Sequence, residues 1–215
     1  NIEQIRKQFH FCCPLLDMGF VQSLTCFLDA LLQNNTKDNM EALKSMSSDE
    51  QKTIFDGFFV YAMMWILGGA VADDKVVNYR KAFSAFLRST AKGFKLPDTG
   101  DVFDYRFEAH LKEWVHWEQW VVEYNPIAER MYQNIIVSTV DIERMKHVLD
   151  LHVQRKKPVL FVGVAGTGKT TIVKDYLADL KSKSDVMNSA SVNLNSYTTS
   201  AALQAIVMGC LDKRS

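Results

Sequence analysis

The sequence predicts an α/β fold in which a helical part of about ninety residues is followed by the beginning of a parallel αβα layer. Apolar residues recur at helical spacing up to about residue 92, and the turn-rich stretch Gly93–Gly100 ends that pattern. A glycine-rich loop, Gly163–Thr170, then lies between a strand pattern and a helix pattern. With 215 residues, 47% of them hydrophobic, the chain has enough apolar material to bury a core.

Three helices are predicted in the helical part. The first stops near Gln33, and the second begins at a capping box in which a serine oxygen accepts from a free amide while Glu50 reaches back. Asp73 and Asp74 are predicted to cap the third helix. The first and third helices place on one face, respectively, Leu24, Phe27, Leu28, Leu31 and Leu32, and Val76, Tyr79, Phe83, Phe86 and Leu87.

The most apolar stretch, Gly57–Ala72, favours a buried helix over a membrane span. It has 16 residues without a charge, whereas a membrane span needs about 20 apolar residues. Gly68 and Gly69 also interrupt the run near its end. We therefore predict that this stretch forms a core helix.

Charge and cysteine content argue against several classes of function. The 25 basic and 25 acidic residues cancel, so no overall field favours nucleic acid or an anionic membrane as a partner. Cys12, Cys13, Cys26 and Cys210 have no metal-ligand spacing, and adjacent cysteines do not readily pair with each other. We predict four reduced, mostly buried thiols in a cytosolic-type compartment.

Aromatic residues dominate the stretch after the turn-rich boundary. Val102–Glu108, VFDYRFE, alternates aromatic and charged residues, which is the period-two signature of a half-buried strand. Trp114, Trp117 and Trp120 then recur at intervals of three, with His116 among them. This spacing fits a base-stacking surface for nucleic acid, or indoles that pack into a core beside the strand. The packing interpretation is preferred.

The remaining segments predict the start of the αβα layer. A capped helix, Ser138–Gln154, is followed by a strand at Val159–Val162, the glycine-rich loop, and a helix from Lys169 to about Leu180. Ala190–Leu194 is a second strand candidate. The last predicted helix has an apolar face formed by Leu203, Ile206, Val207, Cys210 and Leu211.

The glycine-rich loop matches the Walker A pattern GxxxxGK[ST], the phosphate-binding loop of nucleotide-binding proteins. Its glycines let successive amides point at phosphate oxygens, and the helix that starts there adds the positive end of its dipole. We expect Lys169 to reach the terminal phosphates of ATP or ADP and Thr170 to hold Mg²⁺. The predicted nucleotide-binding residues are Gly163, Val164, Ala165, Gly166, Thr167, Gly168, Lys169 and Thr170.

Hydrolysis needs groups that the sequence does not supply after the loop: an apolar strand ending in acidic residues, and a basic residue against the γ-phosphate. The apolar-acidic run Gly69–Asp74 precedes the loop and is interpreted as a helix end followed by a cap. The chain alone is therefore not expected to hydrolyse ATP. A stand-alone small P-loop NTPase or kinase would need Asp175, Asp179 or Asp185 beside Thr170. A spacer that binds no nucleotide is a further alternative.

Several segments, in order, resemble the dynein heavy chains, which are AAA+ motor proteins. The small helical subdomain that closes the second AAA+ module of that family is similar to FVQSLTCFLDALL and FFVYAMMWILGGAVADD. The beginning of the third module is similar to LPDTGDVFDYRFE, EWVHWEQWV, IIVSTVDIERM and PVLFVGVAGTGKTTIVKDYL, and its second strand and following helix to VNLNSYTTSAALQAIV. The sequences at the junctions between these segments are closer to those of the axonemal branch than to those of the cytoplasmic one.

The resemblance implies a fragment that extends from the end of the second AAA+ module to the beginning of the third. Residues 1–92 would be the helical small subdomain of the preceding module, and residues 93–134 a connecting segment with β-strands and tryptophans. Residues 135–215 would be an incomplete P-loop large subdomain. The absence of an initiator methionine at Asn1 also favours a fragment.

The resemblance further implies a ring of six modules whose nucleotide state controls a linker and a microtubule-binding stalk. Gly163–Thr171 match the P-loop of the third module, and Ile136 and Val137 match the segment that backs the adenine, although Val-Ser-Thr replaces the commoner Val-Pro-Thr. Expected partners are the remaining modules of the same heavy chain and, through parts absent here, microtubules and dynein intermediate and light chains. No nucleic acid or membrane partner is expected. The expected location is the cytoplasm and cytoskeleton, in the axoneme of a cilium or flagellum.

Overall fold

The chain combines helices with a small two-stranded sheet. The computed structural model describes residues 2–14, 16–36, 45–72, 77–91, 93–124, 135–183 and 189–211. The chain divides into two compact units, Asn1–Lys169 and Thr170–Ser215.

Seven α-helices form within the described residues, and one of them continues as a π-helical turn at Met64–Gly68. Two short strands, β1 (Tyr105–Glu108) and β2 (Glu113–His116), form an antiparallel hairpin. The helices are α1 (Ile2–Gln8), α2 (Asp17–Thr36), α3 (Ser48–Met63), α4 (Tyr79–Thr90), α5 (Val140–Gln154), α6 (Lys169–Lys183) and α7 (Ser200–Gly209).

Two helix starts confirm the predicted caps. At the start of α3, the Ser47 hydroxyl accepts from the Glu50 amide at 3.4 Å, and the Glu50 carboxylate accepts from the Ser47 amide at 3.0 Å. The Lys112 ammonium also pairs with Glu50, and this bond together with those from Ser47 lowers the pKa of Glu50 to about 2. At the start of α5, the Thr139 hydroxyl accepts from the Ile142 amide at 3.3 Å.

The predicted cap of the third helix is wrong. Helix α4 begins at Tyr79, and the Asn78 side-chain oxygen accepts from the Lys81 amide at 2.9 Å. Asparagine is as good a cap as aspartate, and Asn78 stands directly before the apolar face formed by Phe83 and its helical neighbours. Asp73, Asp74 and Val76, which were expected to belong to this helix, lie outside the described residues.

The apolar run of residues 57–72 forms the centre of the core, which confirms the predicted core helix. Helix α3 and the π-helical turn pack against α2 and the hairpin. The Phe58 and Phe107 rings meet edge to face with centroids 5.8 Å apart, a favourable aromatic geometry. Among the described helices, none has the length and apolarity to cross a membrane.

Two glycines in this run admit aromatic rings from α4 and from the segment around the hairpin. A Cβ atom at Gly57 would lie 2.3 Å from the Phe107 ring. At Gly68, a Cβ atom would lie 2.4 Å from the Phe83 ring and 2.6 Å from the Phe103 ring. Both positions therefore require glycine for close packing.

The predicted strand at residues 102–108 is shorter than expected. Val102–Asp104 forms a 3₁₀ turn, and only Tyr105–Glu108 pairs with β2. Two polar contacts stabilise the turn: the Asp101 amide donates to the Asp104 carboxylate at 2.9 Å, and the Val102 amide donates to the Ser84 hydroxyl at 3.2 Å. These bonds replace the ladder that a longer strand would need.

The tryptophan segment packs into the core, which confirms the preferred interpretation over a base-stacking surface. Trp117 is 1% exposed. The Arg106 guanidinium lies 5.8 Å from the centroid of Trp117 and 5.2 Å from that of Trp120, and it pairs with Glu108 at 2.7 Å. Indoles covered by a cation and by core residues do not offer open faces to bases.

The predicted strands of the parallel layer are wrong for the structure described here. Val159–Val162 is not part of a sheet, and neither is Ala190–Leu194. Their apolar side chains remain open to solvent, with Leu160 76% and Leu194 64% exposed. Strands of a parallel layer are stable when neighbours pair with both edges and helices cover both faces.

The prediction of mostly buried thiols is also wrong, although all four cysteines are free. Cys12 and Cys210 are exposed, and Cys13 and Cys26 are intermediate. Cys12 lies in a short extended segment whose amide donates to the Ala70 carbonyl at 2.9 Å, at the surface of the helical part. Cys210 follows α7, a helix with no buried residue.

Candidate functional site: a phosphate-binding loop

The segment that leads to the glycine-rich loop begins where α5 ends. The Lys157 amide donates to the His152 carbonyl and the Lys156 amide to the Val153 carbonyl, which is a Schellman motif. Lys156 takes the left-handed conformation, with φ of 55°, at the position where glycine is usual. The chain therefore leaves the helix at a fixed point, and Pro158 prevents its continuation.

The loop uses glycine where the backbone requires it. Gly166 and Gly168 have φ of 83° and 77°, values that side-chain-bearing residues rarely adopt. At both positions, a Cβ atom would meet nothing within 4 Å, so the requirement comes from conformation and not from crowding. The repeated left-handed turns let the loop curl as the Walker A pattern predicts.

Lys169 stands within hydrogen-bonding distance of the loop that precedes it. Its ammonium donates to the Gly163 carbonyl at 3.0 Å, the Val164 carbonyl at 2.5 Å and the Thr167 hydroxyl at 3.1 Å. The Thr167 hydroxyl donates in turn to the Val164 carbonyl at 3.0 Å. An ammonium has three donors, and all three find acceptors on the curled backbone and on Thr167.

Thr170 and Thr171 occupy the first turn of α6, which begins at Lys169. Both side chains are exposed. The first amides of a helix have no intrahelical acceptor and point along its axis, so this turn presents donors as well as two hydroxyls. Such a helix start is suited to an anion.

The donor set fits a phosphate group and a small hard cation. Exposed loop backbone, an ammonium and a helix start all favour negative charge, and a threonine hydroxyl oxygen is a ligand that Mg²⁺ accepts alongside phosphate oxygens. Within the described ranges, no group of three or more His, Cys, Asp or Glu side chains is arranged to hold a metal ion.

The predicted adenine contacts lie in the segment before α5. Ile136 is half-buried and Val137 is 50% exposed. The adjacent Ser138 hydroxyl accepts from the Val122 amide at 3.4 Å and donates to the Glu143 carboxylate at 2.7 Å. These bonds hold the segment to the residues after the tryptophans, and the role of Ile136 and Val137 stays a prediction.

The carboxylates of the kinase alternative do not share a helix face with Thr170. Asp175 and Asp179 follow Thr170 by five and nine residues on α6. At about 100° per residue they point roughly 140° and 180° away from it. Asp185 lies outside the described residues.

Sequence reasoning did not find two residues that shape the approach to the loop. Arg155 donates to the Asp29 carbonyl at 2.6 Å and pairs with its carboxylate at 3.2 Å, across 126 residues of chain. Lys156 takes a conformation for which lysine gives no sequence signal. A contact so distant in sequence has no local pattern, so only the fold reveals it.

Family comparisons cover both parts of the chain. The family model for the dynein heavy chain AAA lid domain matches residues 1–119. The model for the P-loop containing dynein motor region matches residues 124–215. The glycine-rich loop, α5 and α6 lie within the second match, and α1 to α4 and the hairpin within the first.

Curated relatives align along the whole chain. The ciliary dynein beta chain of Heliocidaris crassispina is 33% identical over 214 residues, which are 100% of this chain and 4% of that protein. Dynein axonemal heavy chain 9 of Homo sapiens is 31% identical with the same coverage. The flagellar outer arm dynein alpha chain of Chlamydomonas reinhardtii is 26% identical over 98% of this chain and 4% of its own length. The chain thus spans about 4% of the relatives it matches, and it belongs to the dynein heavy chain family.

Proposed function

We propose that this chain is a nucleotide-binding segment of a dynein heavy chain motor ring. It binds Mg-ATP or Mg-ADP through Gly163–Thr171, and its nucleotide state regulates the ATP-driven movement of the assembled motor along microtubules. One observation carries the proposal: the Lys169 ammonium makes three hydrogen bonds to the curled loop that precedes it. These bonds support the proposal because they hold a cation against the glycine-rich loop, where it would attract a phosphate anion.

Different residues of the loop would bind the phosphates and Mg²⁺. The backbone amides between Gly163 and Gly168 would receive phosphate oxygens, and Lys169 would exchange its bonds to the loop for bonds to the terminal phosphates. Thr170 would hold Mg²⁺ through its hydroxyl, and Thr171 would add a second hydroxyl at the helix start. The bound nucleotide supplies the negative charge and the metal-bridging oxygens that complete the site.

We propose the same domain assignment that the sequence predicts: a small subdomain at 1–92, a connecting segment at 93–134 and an incomplete large subdomain at 135–215. The two matched family ranges meet between residues 119 and 124, inside the proposed connecting segment. Ile136 and Val137, which precede α5, would back the adenine.

The proposed partners are the remaining AAA+ modules of the same heavy chain, and microtubules and dynein intermediate and light chains through other parts of that chain. The names of the relatives, ciliary and axonemal dynein chains, support a place in the axoneme of a cilium or flagellum and its cytoskeleton. We also propose that the chain alone binds nucleotide without hydrolysing it, since Asp175 and Asp179 face away from Thr170 on α6.

A titration of the 215-residue chain with a fluorescent ADP analogue and Mg²⁺ tests the proposal. Lys169→Ala should weaken binding by about tenfold or more, because charge-assisted bonds to phosphate are lost. Thr170→Ala should reduce the dependence of binding on Mg²⁺. Lys174→Ala, an exposed lysine further along α6, is the matched control and should bind as the wild type does. Equal affinity of wild type and Lys169→Ala would overturn the proposal.

A further inference from the structure

We infer that Arg155 is a positioning residue for the phosphate-binding loop. By tying the end of α5 to α2, it fixes the point from which the chain runs to Gly163. Its effect on nucleotide affinity rests on the function proposed above. Its effect on the turn at Lys156 and Lys157, from which the chain runs to the loop, does not.

The tie is a two-point contact made by one guanidinium. Arg155 Nη2 donates to the Asp29 main-chain oxygen at 2.6 Å, and Nη1 lies 3.2 Å from the Asp29 carboxylate. The Arg155 side chain is 18% exposed, so solvent screens its part of the contact only weakly. A planar guanidinium suits such a paired contact, and a lysine ammonium cannot reproduce its fork.

The tie lies at the residue where α5 ends. Arg155 is the C-terminal cap of the helix, and Lys156, in the left-handed conformation, turns the chain away from it. The bonds of the Schellman motif fix the direction of this turn relative to α5. The bonds to Asp29 fix it relative to α2. Together they determine where Lys157 and Pro158 start.

The segment beyond the turn has few other constraints. Pro158–Val162 lies along a cavity of about 500 Å³ whose other walls include Phe20 and Ser23 of α2 and Val148 of α5. No ladder holds it within the described residues, and Leu160 is 76% exposed. A segment without a ladder and beside a cavity depends on its two ends for its position. Arg155 holds one end, and the Lys169 bonds to the loop hold the other.

The surroundings of Asp29 support a close approach of the two helices at this corner. Burial raises the pKa of Cys26, one turn before Asp29 on α2, and the charges of Lys157 and Arg155 oppose this increase. The His152 ring of α5 meets the Phe27 ring edge to face, with centroids 5.6 Å apart. The corner is therefore packed, whereas the cavity beyond it is open.

Amide hydrogen exchange and nucleotide titration test this role in the 215-residue chain. Arg155→Ala should accelerate exchange of the backbone amides of Lys156 and Lys157, which are hydrogen-bonded in the Schellman motif, by about tenfold, as expected for the loss of a hydrogen bond to a charged group. Amides of α3 should be unchanged. The fluorescent ADP analogue should bind about fivefold more weakly. Gln154→Ala is the matched control, because the Gln154 side chain donates to Asp150 of the same helix at 2.6 Å.

Two conservative variants separate positioning from general destabilisation. Asp29→Asn keeps the main-chain acceptor and should accelerate exchange of the Lys156 and Lys157 amides by only about twofold. Arg155→Lys keeps the charge without the fork and should fall between wild type and alanine. If Arg155→Ala does not fold, the exchange rates of these two variants still test the inference. Exchange rates of the Lys156 and Lys157 amides that are the same for the Arg155 variants and for Gln154→Ala would overturn the inference. A wild-type chain that binds no nucleotide would overturn the proposed function, and the exchange rates alone would then decide the role of Arg155.

Discussion

The helical part and the phosphate-binding loop achieve their shapes by different means. In the helical part, Phe58, Tyr61 and Phe83 are at most 1% exposed, and they contact residues far away in the sequence. In the loop, Val164 is 76% exposed, and the hydrogen bonds of Lys169 reach back only to Gly163. A glycine-rich loop can thus form from local bonds alone, whereas the helical part depends on long-range packing.

The largest expected effect contrasts a core residue with a residue of α7. Phe58→Ala should lower the free energy of unfolding by about 3–5 kcal/mol, because it removes a buried ring that meets Phe107. Ile206→Ala should cost less than about 1 kcal/mol, because Ile206 is already 42% exposed. Urea unfolding followed by tryptophan fluorescence measures the first effect, since all four tryptophans lie in the unit of residues 1–169, and far-ultraviolet circular dichroism, which reports on every helix, measures the second. Similar losses for both variants would contradict the contrast.

The next effect compares two helical glycines. Gly57→Ala should destabilise the chain by about 1–3 kcal/mol, because the added methyl group would overlap the Phe107 ring. Gly19→Ala, at a position of α2 where a Cβ atom meets nothing within 4 Å, should be neutral or stabilising by up to about 1 kcal/mol. Thermal unfolding of both variants tests the pair. A stabilised Gly57→Ala would show that the core tolerates separation of α3 from β1.

A pH effect arises from His147 on α5. Burial lowers the pKa of His147 well below its usual value, and the nearby Arg106 guanidinium lowers it further. Below about pH 6.5 the unfolded chain takes up a proton that the folded chain does not, so the free energy of unfolding should fall as pH decreases, by up to about 1.4 kcal/mol per pH unit.

Urea unfolding between pH 7.5 and about pH 5 measures this slope. His147→Gln should reduce it, and His10→Gln, at an exposed position, should leave it unchanged. A slope that persists in His147→Gln would assign the pH dependence to other groups.

The smallest expected effect concerns two lysines in the left-handed conformation. Lys156→Gly should stabilise the chain by about 1 kcal/mol, because glycine adopts this conformation without steric cost. Lys112→Gly, with φ of 58°, should gain less, because it also removes the ion pair with Glu50. Thermal unfolding distinguishes the two. A loss of stability in Lys156→Gly would mean that the lysine side chain contributes more than its backbone conformation costs.

Local signals in the sequence predicted much of the structure. The capping box of Ser47 and Glu50, the cap at Thr139 and the run of apolar residues in α3 all appear where the sequence places them. Each of these features depends on residues within one or two helical turns. The Walker A pattern and the glycines at positive φ belong to the same class.

Features that depend on distant residues could not be predicted in this way. Arg155 and Asp29 are 126 residues apart, and the burial of His147 follows from its contacts with Tyr61 and Trp117. The predicted strand at Val159–Val162 is wrong for a related reason, because a pattern of apolar residues does not create the neighbouring strands that a parallel ladder requires. The predicted cap at Asp73 is wrong because Asn78, directly before the first residue of α4, caps that helix.

The two glycines of the core helix also constrain the length of the segment that packs against it. Gly57 and Gly68, eleven residues apart on α3 and its π-helical turn, receive the rings of Phe107 and Phe103, which are four residues apart in the facing segment. Phe103 lies in the 3₁₀ turn and Phe107 in β1, so the distance between the two rings depends on where the turn changes into the strand. An insertion or deletion between Phe103 and Phe107 should therefore separate one of the two rings from its glycine, so the fold constrains the length of this segment as well as its residues.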